Sequence, residues 1–322
     1  MRSNAAMNDE PPPLSSAPPH ELLPAAKEGD VPTVVSALRN PLTDPNMADG
    51  DGWTALIHAS IKGHASVVSA LLDDERVDPN KTDLLSISAL LAAAQTGQAS
   101  VLRLLLGVQS VDRNIAARSG HTAIMIAADR GHSTCTQMLL ADEWADPNAI
   151  RRNGETAFLG AALKGHEAVV AAFLADDRID PNFANESGNT AVVVAAASGH
   201  TATVAALLAD ERVNPNLANF NGHTALMAAT MNGEHRVLEL LLADDRTSRC
   251  RPPASFEDAR ATYDAALKVV KRPRNAAFKG VVRAVVALRR LRLRAAEAAY
   301  APGGRGFRAA AGSFDAAARA LR

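Results

Sequence analysis

Nine histidines, 35 acidic residues and two cysteines are the side chains of this 322-residue chain from which catalysis or metal binding could be built. Four of the histidines, His64, His132, His166 and His200, each follow a glycine and recur at steps of 34 or 68 residues. Imidazoles bind metals or relay protons when they cluster. Side chains spaced this regularly instead stack one unit apart, too far to share an ion, so a positioning role in a turn fits them better. The carboxylates of Asp44-Pro45-Asn46, Asp78-Pro79-Asn80, Asp146-Pro147-Asn148 and Asp180-Pro181-Asn182 lack the dense oxygen ligands of a calcium loop. Asp-Pro-Asn is turn chemistry. Cys135 and Cys250 form no Cys-x-x-C or Cys/His cluster. That points to a reducing compartment and to Cys135 as a small buried filler. No P-loop, dinucleotide fingerprint, His-Glu-x-x-His or nucleophile elbow occurs. The residues predict no catalysis, no cofactor, no metal and no small-molecule substrate.

What must position these residues is a repeat. Thr54-Ala55-Leu56 recurs as Ser88-Ala89-Leu90, Thr122-Ala123-Ile124, Thr156-Ala157-Phe158, Thr190-Ala191-Val192 and Thr224-Ala225-Leu226, each step being 34 residues. The same step links Gly63, Gly97, Gly131, Gly165, Gly199 and Gly233, and the pairs from Leu71-Leu72 to Leu241-Leu242. It also links the Asp-Pro-Asn turns, with Asp112-Arg113-Asn114 as the variant copy. A period of this length marks a stacked array.

Each unit reads as helix, turn, helix and extended loop. The Thr54 hydroxyl can cap the first helix, whose apolar face is Ala55, Leu56 and Ala59. Gly63 ends it by accepting a left-handed backbone. A second helix from about Ser66 carries Val67, Val68, Leu71 and Leu72 on one side. Asp73-Asp74-Glu75-Arg76 reads as solvated, and Pro79 prevents the helix from continuing. Two such helices cannot bury their own apolar face, so stability must come from stacking on neighbours. With only 8 Phe, 2 Trp and 2 Tyr available, the core must be made of Ala, Val and Leu.

These motifs resemble the ankyrin-repeat family. Gly52-Trp53-Thr54-Ala55-Leu56 stands where that family has Gly-x-Thr-Pro-Leu, and Gly63-His64 where it has Gly-His. Val67-Val68, Leu71-Leu72 and Asp78-Pro79-Asn80 match its later apolar run and closing Asp-Val-Asn. The family's Pro is Ala in every copy, and its next His is apolar, as at Ile57 and Leu91. The period exceeds the family's usual value of about 33 by one residue, added between the Leu pair and the Asn.

The resemblance covers about residues 18–250 and implies an all-α solenoid of helix pairs with extended, β-turn loops. An N-terminal capping repeat spans about 18–49, followed by repeats at about 50–83, 84–117, 118–151, 152–185, 186–219 and 220–250. Residues 1–17 are expected to be a disordered segment, and 251–322 a basic helical extension.

The resemblance also implies a function, that of a non-enzymatic scaffold or adaptor. A monomeric array would bind a protein partner on its concave face and loop tips. By register the first helices contribute Ile61, Lys62, Gln95, Asp129, Arg130 and Lys164, and the loops Trp53, Ile87, His121 and Glu155. Leu163, Asn189, Ala197, Ser198, His223, Met231 and Asn232 continue the same register. Leu84 and Leu85 fall at the tip beside Trp53 and Ile87, either as an exposed apolar anchor or packed under their own loop. Arg118, Arg151 and Arg152 make the next tips basic. The expected site is an apolar anchor at repeats two and three beside a basic patch at repeats four and five.

The net charge of −1 conceals an asymmetry, because residues 251–322 hold 16 Lys+Arg against 5 Asp+Glu while 1–250 hold 18 against 30. Ser255 and Asp258 look like a capping box. It opens a helix with Phe256, Ala259, Tyr263, Leu267 and Val270 on one face, suited to covering the last repeat. For the basic stretch 271–294 three readings stay open. It is an amphipathic helix for a partner or an anionic membrane, or a nuclear-import or nucleic-acid patch that includes Lys271-Arg272-Pro273-Arg274, or an extension that balances the acidic array. A tether to nucleic acid or membrane is therefore the alternative function. The N-terminus lacks the apolar core of a signal peptide. Residues 187–209 carry no Asp, Glu, Lys or Arg but are broken by Ser198-Gly199-His200, so no transmembrane segment is expected. The expected location is cytoplasmic, with the nucleus as the alternative through Lys271 to Arg274.

Overall fold

The computed structural model of the protein describes residues 18–151 and 153–247. The expectations for 1–17, for Arg152 and for 248–322, the basic stretch 271–294 included, lie outside the described residues. Within them, a 3-10 turn at Pro19–Glu21 precedes fourteen α-helices, and no sheet forms beyond a single bridge between Ala48 and Thr54.

The helices fall into seven pairs. The first members are α1 (Leu22–Glu28), α3 (Ala55–Lys62), α5 (Ala89–Thr96), α7 (Ala123–Asp129), α9 (Ala157–Lys164), α11 (Ala191–Ala197) and α13 (Ala225–Asn232). Their partners are α2 (Val31–Arg39), α4 (Ala65–Leu72), α6 (Ala99–Leu106), α8 (Ser133–Ala141), α10 (Glu167–Leu174), α12 (Thr201–Ala209) and α14 (His235–Ala243). Each first helix packs on the next first helix, and each second helix on the next second helix. Small residues such as Ala55, Ala89, Ala123, Ala157 and Ala191 are buried in the first layer and let its helices approach closely. Leu71, Leu105, Leu139, Phe173 and Leu207 fill the space behind them. Phe158 and Phe173 form the largest pair, edge to face with centroids 5.9 Å apart.

Thr54, Ser88, Thr156 and Thr224 cap their helices as expected, each side chain accepting from the N–H three residues on. Thr122 and Thr190 hold the same position but make no cap bond, and their buried hydroxyls have no partner. Between pairs the chain forms a tight finger. Asp49 N–H donates to the Trp53 carbonyl and Gly52 N–H to that of Asp49, and the pattern recurs from Asp83 to Asn219. In the second finger Ser86, at φ 61°, occupies the left-handed position that the other fingers give to glycine.

The residues marked out by the period also join one unit to the next. The Nε2–H of His64, His132, His166 and His200 donates to the carbonyl of Lys27, Gln95, Asp129 and Leu163 at 3.2, 3.2, 3.1 and 2.9 Å. The imidazoles thus orient the neighbouring repeat as well as their own turn. Each Asn of the Asp-Pro-Asn turns acts similarly. Asn46 Nδ2 donates to the Arg76 carbonyl at 2.7 Å while its Oδ1 accepts from Asp78 N–H at 2.7 Å.

The segment where the period gains its extra residue is not merely solvated. Arg76 pairs with Asp74 at 2.6 Å and donates across the repeat boundary to the Leu38 carbonyl at 2.6 Å. Arg178, Arg212 and Arg246 pair with Asp176, Asp210 and Asp244 and reach back to the carbonyls of Leu140, Leu174 and Leu208. These carbonyls lie at second-helix C-termini, where orphan acceptors and the negative dipole end favour a cation.

In this clip the arginine hydrogen bond, opposed by some desolvation, holds the Asp74, Asp176, Asp210 and Asp244 carboxyls below the usual carboxylate range. A carboxyl depressed on folding contributes stability that is complete above its unfolded pKa and lost as pH falls through the folded one. The urea midpoint should therefore be level from neutral pH to about 5 and fall below about 4. A chain with all four aspartates replaced by Asn should start from a lower midpoint and fall less steeply. Equal slopes would remove the clips from the acid response.

Candidate protein-interaction surface

The fingers and the exposed sides of the first helices form one continuous face, and the structure divides the expected site residues on it into three groups. The first is displayed to solvent. Leu84 and Leu85 are 69% and 61% exposed at the second finger tip, so they do not pack under their own loop. Lys62, Gln95, Arg118, Arg130 and Lys164 are also exposed.

The second group is half-buried in the first fingers. Trp53 Nε1–H donates to Asp83 Oδ2 at 3.1 Å, and its ring meets the edge of His58 at 5.1 Å. His58 Nε2–H in turn donates to Asp49 Oδ2 at 2.8 Å. Donation from Trp53 N–H, with His58 adding, holds the Asp49 carboxyl below the usual range. Trp53 therefore braces two fingers and is not an anchor standing free in solvent. Ile61 and Ile87 are partly buried and pack against the core.

The third group is a charge network. Arg151 Nη2 donates to Asp129 Oδ1 at 3.2 Å and lies 3.5 Å from Glu155 Oε2, while its Nη1 donates to His121 Nε2 at 3.0 Å. Because that nitrogen accepts, the His121 proton sits on Nδ1, which donates to Ser119 Oγ at 2.9 Å. Gly160 makes room for this network, since a Cβ there would run into both the Asp129 carboxylate and the Arg151 guanidinium. Arg151 thus stands between two carboxylates, and the expected basic patch loses one of its three arginines. Arg118 remains exposed, and Arg152 lies outside the described residues.

A cleft of about 320 Å³ opens further along the same face, over α9, α11 and α13. Leu163, Val193, Val194, Ala197 and Ala228 line its apolar part, and Asn189, Asn219, His223 and Asn232 supply polar groups. No Asp, Glu, Lys or Arg touches it. Asn219 Nδ2 donates to Asn189 Oδ1 at 2.8 Å, and Asn232 Nδ2 to the Ala197 carbonyl at 2.6 Å, so both amides are held in place. Met231, 66% exposed, also lines the cleft, and Phe220, 81% exposed, tips the finger that carries Asn219 and His223. Val193, Val194, Asn219, Phe220 and Ala228 were not among the expected residues. The signal for Val193 and Val194 was the charge-free stretch 187–209, whereas Asn219, Phe220 and Ala228 fall outside it.

Cys135 is buried on α8, where desolvation pushes its thiol up and keeps it unreactive. Among the described residues no three His, Cys, Asp or Glu side chains gather closely enough to hold a metal ion, and no helix is long and apolar enough to cross a membrane.

Comparison with known proteins identifies the repeat and its fold. The family model for ankyrin repeats, three copies long, matches residues 22–115, 90–185 and 161–250. The crystal structure of the ankyrin repeat protein EF0377 is 26% identical with a TM-score of 0.55, covering 59% of this chain and 97% of that one. An ankyrin repeat domain from Acinetobacter baumannii AYE is 28% identical with a TM-score of 0.54 over the same shares. The ankyrin repeat domain of Bcl-3, a member of the IkappaB protein family, shares the fold at 23% identity, with a TM-score of 0.60 over 68% of this chain and 96% of that one. A search of curated protein sequences finds no match. The matched segments follow one another across all seven helix pairs and the clasps between them, so the chain belongs to the ankyrin-repeat family.

Proposed function

We propose that this protein is a non-enzymatic scaffold that holds a protein partner along its fingers and first helices. The observation that supports this reading is the placement of exposed apolar side chains. Among the described residues eight large hydrophobic side chains stand in solvent, of which Leu84, Leu85, Leu163, Phe220 and Met231 lie on this one face. Apolar groups gathered on one side of a soluble array mark an interaction surface. Finger-to-finger bonds such as Arg118 N–H to the Leu85 carbonyl and Phe220 N–H to the Ser187 carbonyl fix the spacing of these groups before a partner arrives. Binding then orders little of the scaffold, which favours affinity at modest area. Over the cleft the complementary partner surface is apolar and uncharged, with backbone groups to meet Asn189 and Asn232. At the other end it meets the Leu84 and Leu85 tip beside Arg118 and Lys62.

Affinity capture with the full chain, quantified against Leu163→Asp/Met231→Asp and Leu84→Ser/Leu85→Ser, tests this reading. Buried apolar contacts of hot-spot rank are worth about 2 kcal/mol or more each. Capture of the specific partners should therefore fall about thirtyfold in at least one double variant. Undiminished capture by both would remove this face from the binding site.

A further inference from the structure

The bonds already made inside the cleft over α9, α11 and α13 decide which of its polar atoms stay free. Asn219 Oδ1 accepts from the N–H groups of Asn221 and His223 at 3.0 and 2.9 Å. Its Nδ2 is therefore the atom that donates, to Asn189 Oδ1 at 2.8 Å. That leaves Asn189 Nδ2 as a donor with no partner among the described residues. Asn232 is fixed the other way round, with Nδ2 taken by the Ala197 carbonyl at 2.6 Å and Oδ1 left as an acceptor.

One amide donor and one amide acceptor, both held in place, complement a peptide group that is not bonded within its own chain. A helix interior offers none, because its N–H and C=O groups pair with each other. An extended segment offers both. Asn189 stands two residues before α11 starts, and Asn232 is the last residue of α13. A first helix of 8 residues is about 12 Å long, the reach of about four extended residues. Apolar side chains such as Leu163, Val193, Ala197 and Met231 line the same cleft.

His223 is the one titratable group among the described residues that line it. The imidazole is half-buried, and its nitrogens have no partner among the described residues. The nearest charges along the chain are Lys164 at the end of α9, Glu186 in the finger before α11 and Glu234 after α13, and none of them lines the cleft.

We infer that the cleft holds about four extended, uncharged residues of the partner and lets them go when His223 takes up a proton. This rests on the scaffold function proposed for the face and names the part of the partner that the cleft reads. A charge on the segment would leave water with no counter-ion in the lining. The same penalty falls on the imidazolium, because a segment that covers His223 removes its water and no carboxylate replaces it. Imidazoles change charge between about pH 5 and 8, so affinity falls as the pH falls through that range.

Panning of phage-displayed random peptides on the full chain at about pH 7.5, where imidazole is mostly neutral, tests the assignment. Enriched sequences should share a run of about four residues free of Asp, Glu, Lys and Arg. The best such peptide without histidine, made synthetically, should bind Leu163→Asp/Met231→Asp about thirtyfold more weakly than the parent chain. Asn189→Asp keeps the acceptor for Asn219 but removes the free donor, and should cost about tenfold. The same peptide locked as a helix by a side-chain lactam should bind more weakly than the linear form. Between about pH 7.5 and 5.5 the parent should lose about tenfold in affinity and His223→Gln should lose nothing. A shared run that carries charge, tighter binding by the helical form, or an equal pH response in parent and His223→Gln would overturn the inference. So would a library that enriches nothing. Peptides lost by Leu84→Ser/Leu85→Ser but kept by Leu163→Asp/Met231→Asp would overturn it and leave the scaffold function standing. Peptides kept by both double variants would count against both.

Discussion

Replacing Arg113 by proline, the residue found at this step as Pro45, Pro79, Pro147, Pro181 and Pro215, should cost about 3–5 kcal/mol, the loss expected on breaking a buried ionic network. The expectation runs against the repeat consensus and follows from two linked departures. At the position where Arg76, Arg178, Arg212 and Arg246 reach back to a helix C-terminus, the fourth repeat has Trp144. The carbonyl left without its clip is that of Leu106, and Arg113 supplies the guanidinium from the opposite side. Its Nη2 donates to Leu106 at 2.7 Å and its Nη1 to Val108 at 2.9 Å and to Val111, while Nε lies 3.5 Å from Asp142. Trp144 covers the guanidinium at 4.9 Å from the ring centroid. Arg113 is only 5% exposed, so its removal leaves buried carbonyls unpaired and Asp142 without its cation.

Trp144→Arg alone should be mildly destabilising, since it crowds a second guanidinium against Arg113. The double variant Arg113→Pro/Trp144→Arg rebuilds the Asp-x-Arg clip on Asp142 and should return to within about 1 kcal/mol of the parent. Urea unfolding of the four chains decides the matter. A double variant no more stable than Arg113→Pro would show that the two departures do not compensate each other.

That pair shows where sequence reading ends. The helices were legible because their signals are local: Thr54 caps, Gly63 stops, and Val67, Val68 and Leu71 fall on one side within a single unit. The bonds between units were not. His132 meets a carbonyl 37 residues back and Arg178 one 38 residues back, and neither spacing is visible until the superhelical stacking is known. Asp74 and Arg76 therefore read as solvated charges, and Arg113 as an unexplained substitution. The candidate surface divided similarly. Register placed Leu84 and Leu85 on a tip, but whether Trp53 was displayed or braced depended on Asp83 in the next finger. Arg151 counted as a free cation until Gly160 let Asp129 reach it. Absence of charge over 187–209 was plain in the sequence, yet its meaning depended on α9 and α13 closing the cleft on either side.

Gly165→Ala should destabilise the protein by about 2–5 kcal/mol, far more than an added methyl group implies. Two causes add. Gly165 ends α9 at φ +77°, where an L-residue other than glycine costs about 1–2 kcal/mol. Its Cβ would also lie 2.5 Å from His200 Nδ1, forcing the ring away from the Leu163 carbonyl that it meets at 2.9 Å, an overpacking cost of about 1–3 kcal/mol. His200→Ala loses only the hydrogen bond and its packing, about 1 kcal/mol. Adding His200→Ala to Gly165→Ala removes the collision, so the double variant should be less destabilised than the sum of the singles by about 1 kcal/mol or more. Gly233→Ala is the internal control. It has the same backbone conformation, φ +75°, but no described side chain over it, and should show the conformational cost alone. Equal losses at Gly165 and Gly233 in urea unfolding would mean that the glycine row is held by backbone conformation alone. A larger loss at Gly165 that His200→Ala partly relieves would show that each glycine is also the seat of the next repeat's clasp.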